Sequence, residues 1–181
     1  IEEAYQENKE LAKYIEINDK MKYEPFPLTE IQQAYLIGRS GLYTLGDVST
    51  HYYYELEGST IDIQKLENAL NVLISYHDML RAVILPEEHK QVILEKVPDY
   101  HIKTTDLRGI SNIKRKLNEI REEISHTTLS IDKWPLFDIR ATYYDDKIRL
   151  HMNFDNIIFD GWSISLFMEQ MKNLYSDIDY K

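Results

Sequence analysis

The stretch NFDNIIFDGWS, residues 153–163, sets Asp155 and Asp160 five positions apart around the apolar run Ile157, Ile158 and Phe159. An unpaired carboxylate is strongly penalised away from water, so two acids in a stretch bound for the interior need a reason. The stretch leaves an alternating, strand-like run and enters a helix-period run. Open α/β sheets line their ligand crevices at such strand ends. Gly161 permits a backbone geometry or close approach that other residues resist. Ser163 is a candidate hydroxyl cap for the following helix, and Asp160 gains from that helix's dipole. Arg81, at the start of a short apolar strand, is the candidate ionic partner of Asp160. Capping explains Asp155 less well, which leaves it as a functional candidate.

Immediately upstream, Phe137, Ile139, Ala141 and Tyr143 alternate, as do Ile148, Leu150, Met152 and Phe154. With YDDK between them, the two runs predict an antiparallel hairpin. Downstream, Ile164, Phe167, Met168, Met171 and Leu174 mark one face of a last helix.

Further out, VSTHYYYELEG reads as a strand ending at Gly58. Ile63, Leu66, Ala69, Leu70, Leu73 and His77 then recur at helical spacing behind Asp62 as N-cap, with His77 near the core. LRAVIL is a short strand ended by Pro86, KQVILEKV is its hairpin partner, and residues 110–128 form a helix with a charged outer face. In YEPFPLTE, Pro25 and Pro27 block a helix and Thr29 caps a new one over about residues 31–37, stopping near Gly38. Residues 1–22 read as a charged linker or docking helix. The order of elements predicts α/β layering with a mixed sheet.

The 181 residues suffice for one sizeable core or a small pair, and the formal net charge of −10 argues against a phosphate-backbone binder. No cysteine is present, which removes disulfides and thiolate metal sites. No run approaches the length of a membrane span, and the acidic N-terminus is unlike a signal or transit peptide. The expectation is therefore a cytoplasmic protein. The glycines form neither GxGxxG nor a P-loop, HExxH is missing, and Ser163 lacks a GxSxG setting. His151 and Asp155 make only a weak metal pair.

Four segments carry a family resemblance. FPLTEIQQAYLIGR, residues 26–39, resembles the FPLTxxQxAYxxGR signature of heterocyclization domains of nonribosomal peptide synthetases, through Phe26, Pro27, Leu28, Thr29, Gln32, Ala34, Tyr35, Gly38 and Arg39. YHDMLRAV, residues 76–83, is similar to that family's RHxMLRAV, with Tyr76 where arginine is common. WPLF, residues 134–137, matches a further segment, and DNIIFDGWS fits DxxxxDxxS through Asp155, Asp160 and Ser163. Related condensation domains carry HHxxxDG here. On that pattern Asp155 and Asn156 replace the two histidines, while Asp160 and Gly161 remain. Asparagine is no base near neutral pH, so a mechanism resting on that histidine is excluded.

The resemblance implies a mixed-sheet lobe like those of chloramphenicol acetyltransferase, one half of a two-lobe pseudo-dimer with a tunnel between the lobes. Residues 23–181 would be the N-terminal lobe, with the C-terminal lobe absent. It implies condensation of an upstream carrier-bound acyl thioester with carrier-bound cysteine, serine or threonine, then cyclodehydration to a thiazoline or oxazoline. Asp155, Asp160 and Ser163 carry over as catalytic. Asn156, Gly161, Trp162, Gln32, Tyr35, Arg39 and Arg81 carry over as tunnel-lining or structural. Tyr35 and Arg39 are expected to fix the first helix to the sheet, Trp162 to form a lid over the core, and Gln32 either to bond in the tunnel or to cap locally. No directly bound cofactor is implied; the phosphopantetheine arms of carrier domains are substrates. The implied partners are the other lobe, upstream and downstream carrier domains and the adenylation domain of the same synthetase, with no nucleic acid or membrane. The lobe alone is expected to be inactive. The alternatives are a non-catalytic carrier-docking lobe and a condensation-type acyltransferase lacking the usual histidine.

Overall fold

The computed structural model describes residues 21–39 and 50–176. The helix expected over residues 1–22 lies almost wholly outside these. In chain order the strands are β1 (Phe26–Pro27), β2 (His51–Gly58), β3 (Ala82–Leu85), β4 (Lys90–Ile93), β5 (Lys103–Asp106), β6 (Phe137–Tyr144) and β7 (Lys147–Asp155). The helices are α1 (Glu30–Gly38), α2 (Ile63–Tyr76), α3 (Ile113–Ser125) and α4 (Gly161–Ser176), with single 3-10 turns at Asp78–Arg81 and Pro86–Glu88. Two sheets result, β1-β4-β3 and β2-β7-β6-β5, and the second is mixed because β5 runs parallel to β6.

The expected hairpin is β6–β7. Its register pairs Phe137 with Phe154, Ile139 with Met152, Ala141 with Leu150 and Tyr143 with Ile148, so the two apolar sets share one face. That face packs with Leu66, Leu70, Leu73 and Ile74 of α2 and with Ile164, Phe167 and Met171 of α4. Each such side chain, fully buried, contributes about 1.5–3 kcal/mol. Phe154, Phe159 and Phe167 meet edge-on with centroids 4.9–5.9 Å apart, the geometry aromatic quadrupoles favour.

The opposite face is polar. It bears Thr142, Arg149, His151, Asn153 and Asp155 and meets α3, which buries Leu117 and Ile124. Asn153 Nδ2 donates to the carbonyls of Ile124 and Thr127, both at 3.1 Å, and His51 Nε2 donates to that of Ser125 at 2.8 Å. These bonds fasten the C-terminal end of α3 to the sheet.

α1 and α2 begin as expected. Thr29 and Gln32 form a full capping box, and the Asp62 side chain accepts from Lys65 N. Two strands escape the sequence reading. KTTD of β5 is exposed throughout and shows no alternation, and β1 is a two-residue pairing with β4. A second small core of Leu28, Ile84, Leu136 and Ile157 joins the three-stranded sheet to α1. Among the described residues, no helix is long and apolar enough to cross a membrane.

Candidate functional site

The bend after β7 is built around Asp155, whose side chain is 1% exposed. Its Oδ1 accepts from Ile157 N at 2.9 Å and its main-chain carbonyl accepts from the amides of Ile158 and Phe159. Its Oδ2 forms an ion pair with Nη2 of Arg39. The buried acid is thus the nucleus of the turn, tied to a guanidinium 116 positions upstream. The turn divides its apolar run: Ile157 enters the small core, Phe159 enters the large one, and Ile158 packs against both.

Gln32 caps α1 locally, one of its two expected roles, and also bonds inward. Its Oε1 accepts from Thr29 N at 2.9 Å, closing the capping box, and its Nε2 donates to the carbonyl of Ile157 at 2.8 Å. It also forms a reciprocal amide pair with Gln91 of β4, 2.9 Å in each direction. Gln91 is 3% exposed; sequence reasoning missed it, because a lone glutamine in KQVILEKV carries no signal of a distant partner. Tyr35 packs against the small core. With Arg39, it fixes α1 against the sheets. Asn156 donates its main-chain N–H to the Thr50 carbonyl at 3.0 Å, and its Oδ1 is buried with no partner among the described residues.

The other end of the bend differs from expectation. Asp160, not Ser163, caps α4. Its Oδ1 accepts from Ser163 N at 2.7 Å and from Ser163 Oγ at 2.6 Å. These bonds hold the Asp160 carboxyl below its ordinary pKa, so it is ionised at neutral pH. Trp162 is 85% exposed and is no lid over the core. At the second position of α4 it points off the side opposite Ile164 and Phe167. Gly161 is not sterically required: a Cβ there would sit 3.8 Å from Tyr52 Oη, and its backbone is not left-handed.

Arg81 is not the partner of Asp160. It is 6% exposed and donates to the carbonyls of Ile74, Ser75 and Leu94 and to Asp78 Oδ1. It therefore ties the C-terminus of α2 to β4, where free carbonyls need donors. His77 caps the same helix and bonds Gln170 Oε1 of α4 through Nε2 at 2.5 Å.

His151 and Asp155 do not converge on one point. His151 is fully buried, with Nδ1 2.8 Å from Tyr53 Oη and Nε2 3.2 Å from Thr142 Oγ1. The Tyr53 hydroxyl donates its hydrogen bond to Glu55 Oε1 at 2.8 Å. So Nδ1 carries the imidazole proton and donates to Tyr53, and Nε2 accepts from Thr142. Burial pushes the His151 pKa down and keeps the ring neutral. Arg121 grips Glu55 and lowers its pKa to about 2. Among the described residues, no group of three or more His, Cys, Asp or Glu is placed to hold a metal.

The site therefore has two parts: a saturated, buried acid that shapes the bend, and an ionised acid bonded to a serine at its exposed end. A family model described as Condensation domain matches residues 23–180. Bacitracin synthase 1 of Bacillus licheniformis is 34% identical over 158 residues, covering 86% of this chain and 3% of that protein. Phenyloxazoline synthase MbtB of Mycobacterium sp. (strain MCS) is 33% identical over 154 residues, covering 83% of this chain and 13% of that protein. The chain thus spans a small part of these relatives. The solved EpoB NRPS cyclization-docking bidomain from Sorangium cellulosum superposes with a TM-score of 0.85 at 30% identity, covering 99% of this chain and 38% of that one. The lobe has the mixed-sheet, chloramphenicol-acetyltransferase-like fold that the resemblance implied. The chain belongs to the condensation-domain family, and at 155–163 it carries the motif of the heterocyclization branch.

Proposed function

We propose that residues 23–181 are the N-terminal lobe of a heterocyclization domain of a nonribosomal peptide synthetase. The observation that carries this reading is the occupant of the histidine positions. Asp155 there is buried against Arg39, and Asn156 offers no proton-accepting nitrogen. The amine of carrier-bound cysteine, serine or threonine attacks the upstream acyl thioester, forming the amide and releasing the carrier thiol. The side-chain thiol or hydroxyl then adds to that amide carbonyl, and loss of one water leaves the C=N bond of a thiazoline or oxazoline.

In this reading the lobe's main contribution is positioning two thioester arms in line. Asp155 acts as a positioning residue, because both its oxygens are already engaged. Asp160, ionised and exposed, with Ser163 on its Oδ1, is the charged group of the bend that substrate can reach, and it acts by its charge. The phosphopantetheine arms are substrates, and the partners are the second lobe, the flanking carrier domains and an adenylation domain. A single lobe presents half a tunnel, so residues 23–181 alone turn over nothing.

The test is a reconstitution of the full synthetase with both carriers loaded, read by mass spectrometry. The expected product is lighter by one water than the linear amide. Linear amide alone would overturn the cyclising assignment in favour of simple condensation, and neither product would favour a docking lobe.

A further inference from the structure

A cavity of about 210 Å³ lies between the Asp78–Arg81 turn and the first turns of α4, lined by Met79, Leu80, Phe159, Ser163, Leu166 and Phe167. It is apolar apart from Ser163 and the ring of His77, and His77 Nε2 is already committed to Gln170. Leu166 is 44% exposed, so the cavity opens at the surface. Ser163 belongs both to this cavity and to the bend, since its hydroxyl bonds Asp160 at 2.6 Å. A group seated here lies one side chain away from the ionised carboxylate.

We propose that this cavity is the subsite for the side chain of the acyl donor. This rests on the heterocyclization reading above. The amino acid to be cyclised has a short polar side chain that must fold back onto its own amide carbonyl, so it has no use for an apolar recess. The acyl partner has no such constraint. The volume falls below the ~300–1,000 Å³ typical of sites for drug-sized ligands, which suits one branched alkyl group or one aryl ring. The two walls come from separate segments, the Asp78–Arg81 turn and α4, so the recess can be reshaped from α4 without touching Asp155 or Asp160.

The experiment uses the full synthetase with its upstream carrier loaded with acetyl or benzoyl thioester, and reads amide formation by mass spectrometry. Leu166→Trp narrows the recess and is expected to lower the benzoyl-to-acetyl ratio of kcat/KM at least about tenfold. Leu166→Ala widens it and should move the ratio the other way, which keeps the test informative if the tryptophan variant fails to fold. A ratio within twofold of the parent in the soluble variants, whatever the overall rate, would overturn the proposal. Ring closure is scored separately: amide without ring in the parent sinks the heterocyclization reading, while an unchanged donor ratio sinks the subsite.

Discussion

Arg39, at the end of the first motif, closes its guanidinium on the carboxylate of Asp155, 116 positions downstream, in a pair whose side chains are 10% and 1% exposed. Removing one member strands the other's charge in the interior, which costs about 3–5 kcal/mol. Arg39→Ala and Asp155→Ala are each expected to lower stability by that amount in urea unfolding. The double variant should cost well below the sum. Arg39→Lys should recover only part of the loss, because a point charge replaces a planar fork.

The Gln32–Gln91 pair is a second tie between α1 and the rest of the fold. Gln32→Leu leaves Gln91 Oε1 and the Ile157 carbonyl without the donor Gln32 Nε2, at about 1–3 kcal/mol each where water cannot reach, while Gln91 Nε2 keeps the Pro27 carbonyl. The expected result is a clear fall in Tm, with part recovered in Gln32→Leu/Gln91→Leu. Equal Tm values for parent and single variant would contradict the pairing.

Asp160 separates capping from chemistry. Asp160→Asn keeps an oxygen acceptor for Ser163 N, so its stability cost should be a few tenths of a kcal/mol, against about 1 kcal/mol for Asp160→Ala. If the charge takes part in turnover, ring formation by the full synthetase should fall at least tenfold in Asp160→Asn despite the preserved fold. Because its folded pKa is lowered, the stabilisation from its charged form is complete above the ordinary carboxylate range. It disappears as pH falls through the lowered value.

The buried network under α3 gives a pH signature. His151 faces Tyr53, Thr142 and Glu55, with Arg121, Arg140 and Arg149 nearby. Its pKa is depressed from 6.5 in the fold, so the unfolded chain binds the extra proton and stability declines as pH drops below about 6.5. Glu55, moved from 4.5 to about 2, adds a second decline across that lower range. Urea midpoints measured from pH 8 to pH 3 should show both, and His151→Gln should flatten the first alone.

Much of the architecture is written in local pattern. Phe137 to Tyr143 and Ile148 to Phe154 alternate because one face of their sheet is hydrocarbon, and period two survives in sequence. Thr29 and Asp62 are legible because caps act within four residues. β5 is not, since an exposed strand paired on one side needs no apolar signature. The acids of the motif show the same division. Asp160 acts on Ser163, three residues away, and its capping environment could be read. The role of Asp155 depends on Arg39, far away in sequence, and the acceptors of Arg81 are mostly main-chain carbonyls, which carry no side-chain signal. Trp162, expected as a lid over the core, stands outside it because of its place in the first turn of α4.

The two-faced character of the β6–β7 hairpin constrains how the chain assembles. A slip of one residue in either strand would drive Arg149, His151 and Asn153 into the hydrocarbon layer and push Leu150, Met152 and Phe154 out beneath α3. Misaligned hairpins are thus rejected on both sides at once. The alignment that survives also delivers Asp155 to the end of the ladder beside Leu136, whose carbonyl accepts its main-chain N–H at 3.1 Å. Proofreading of strand alignment and placement of the acidic turn are therefore one event.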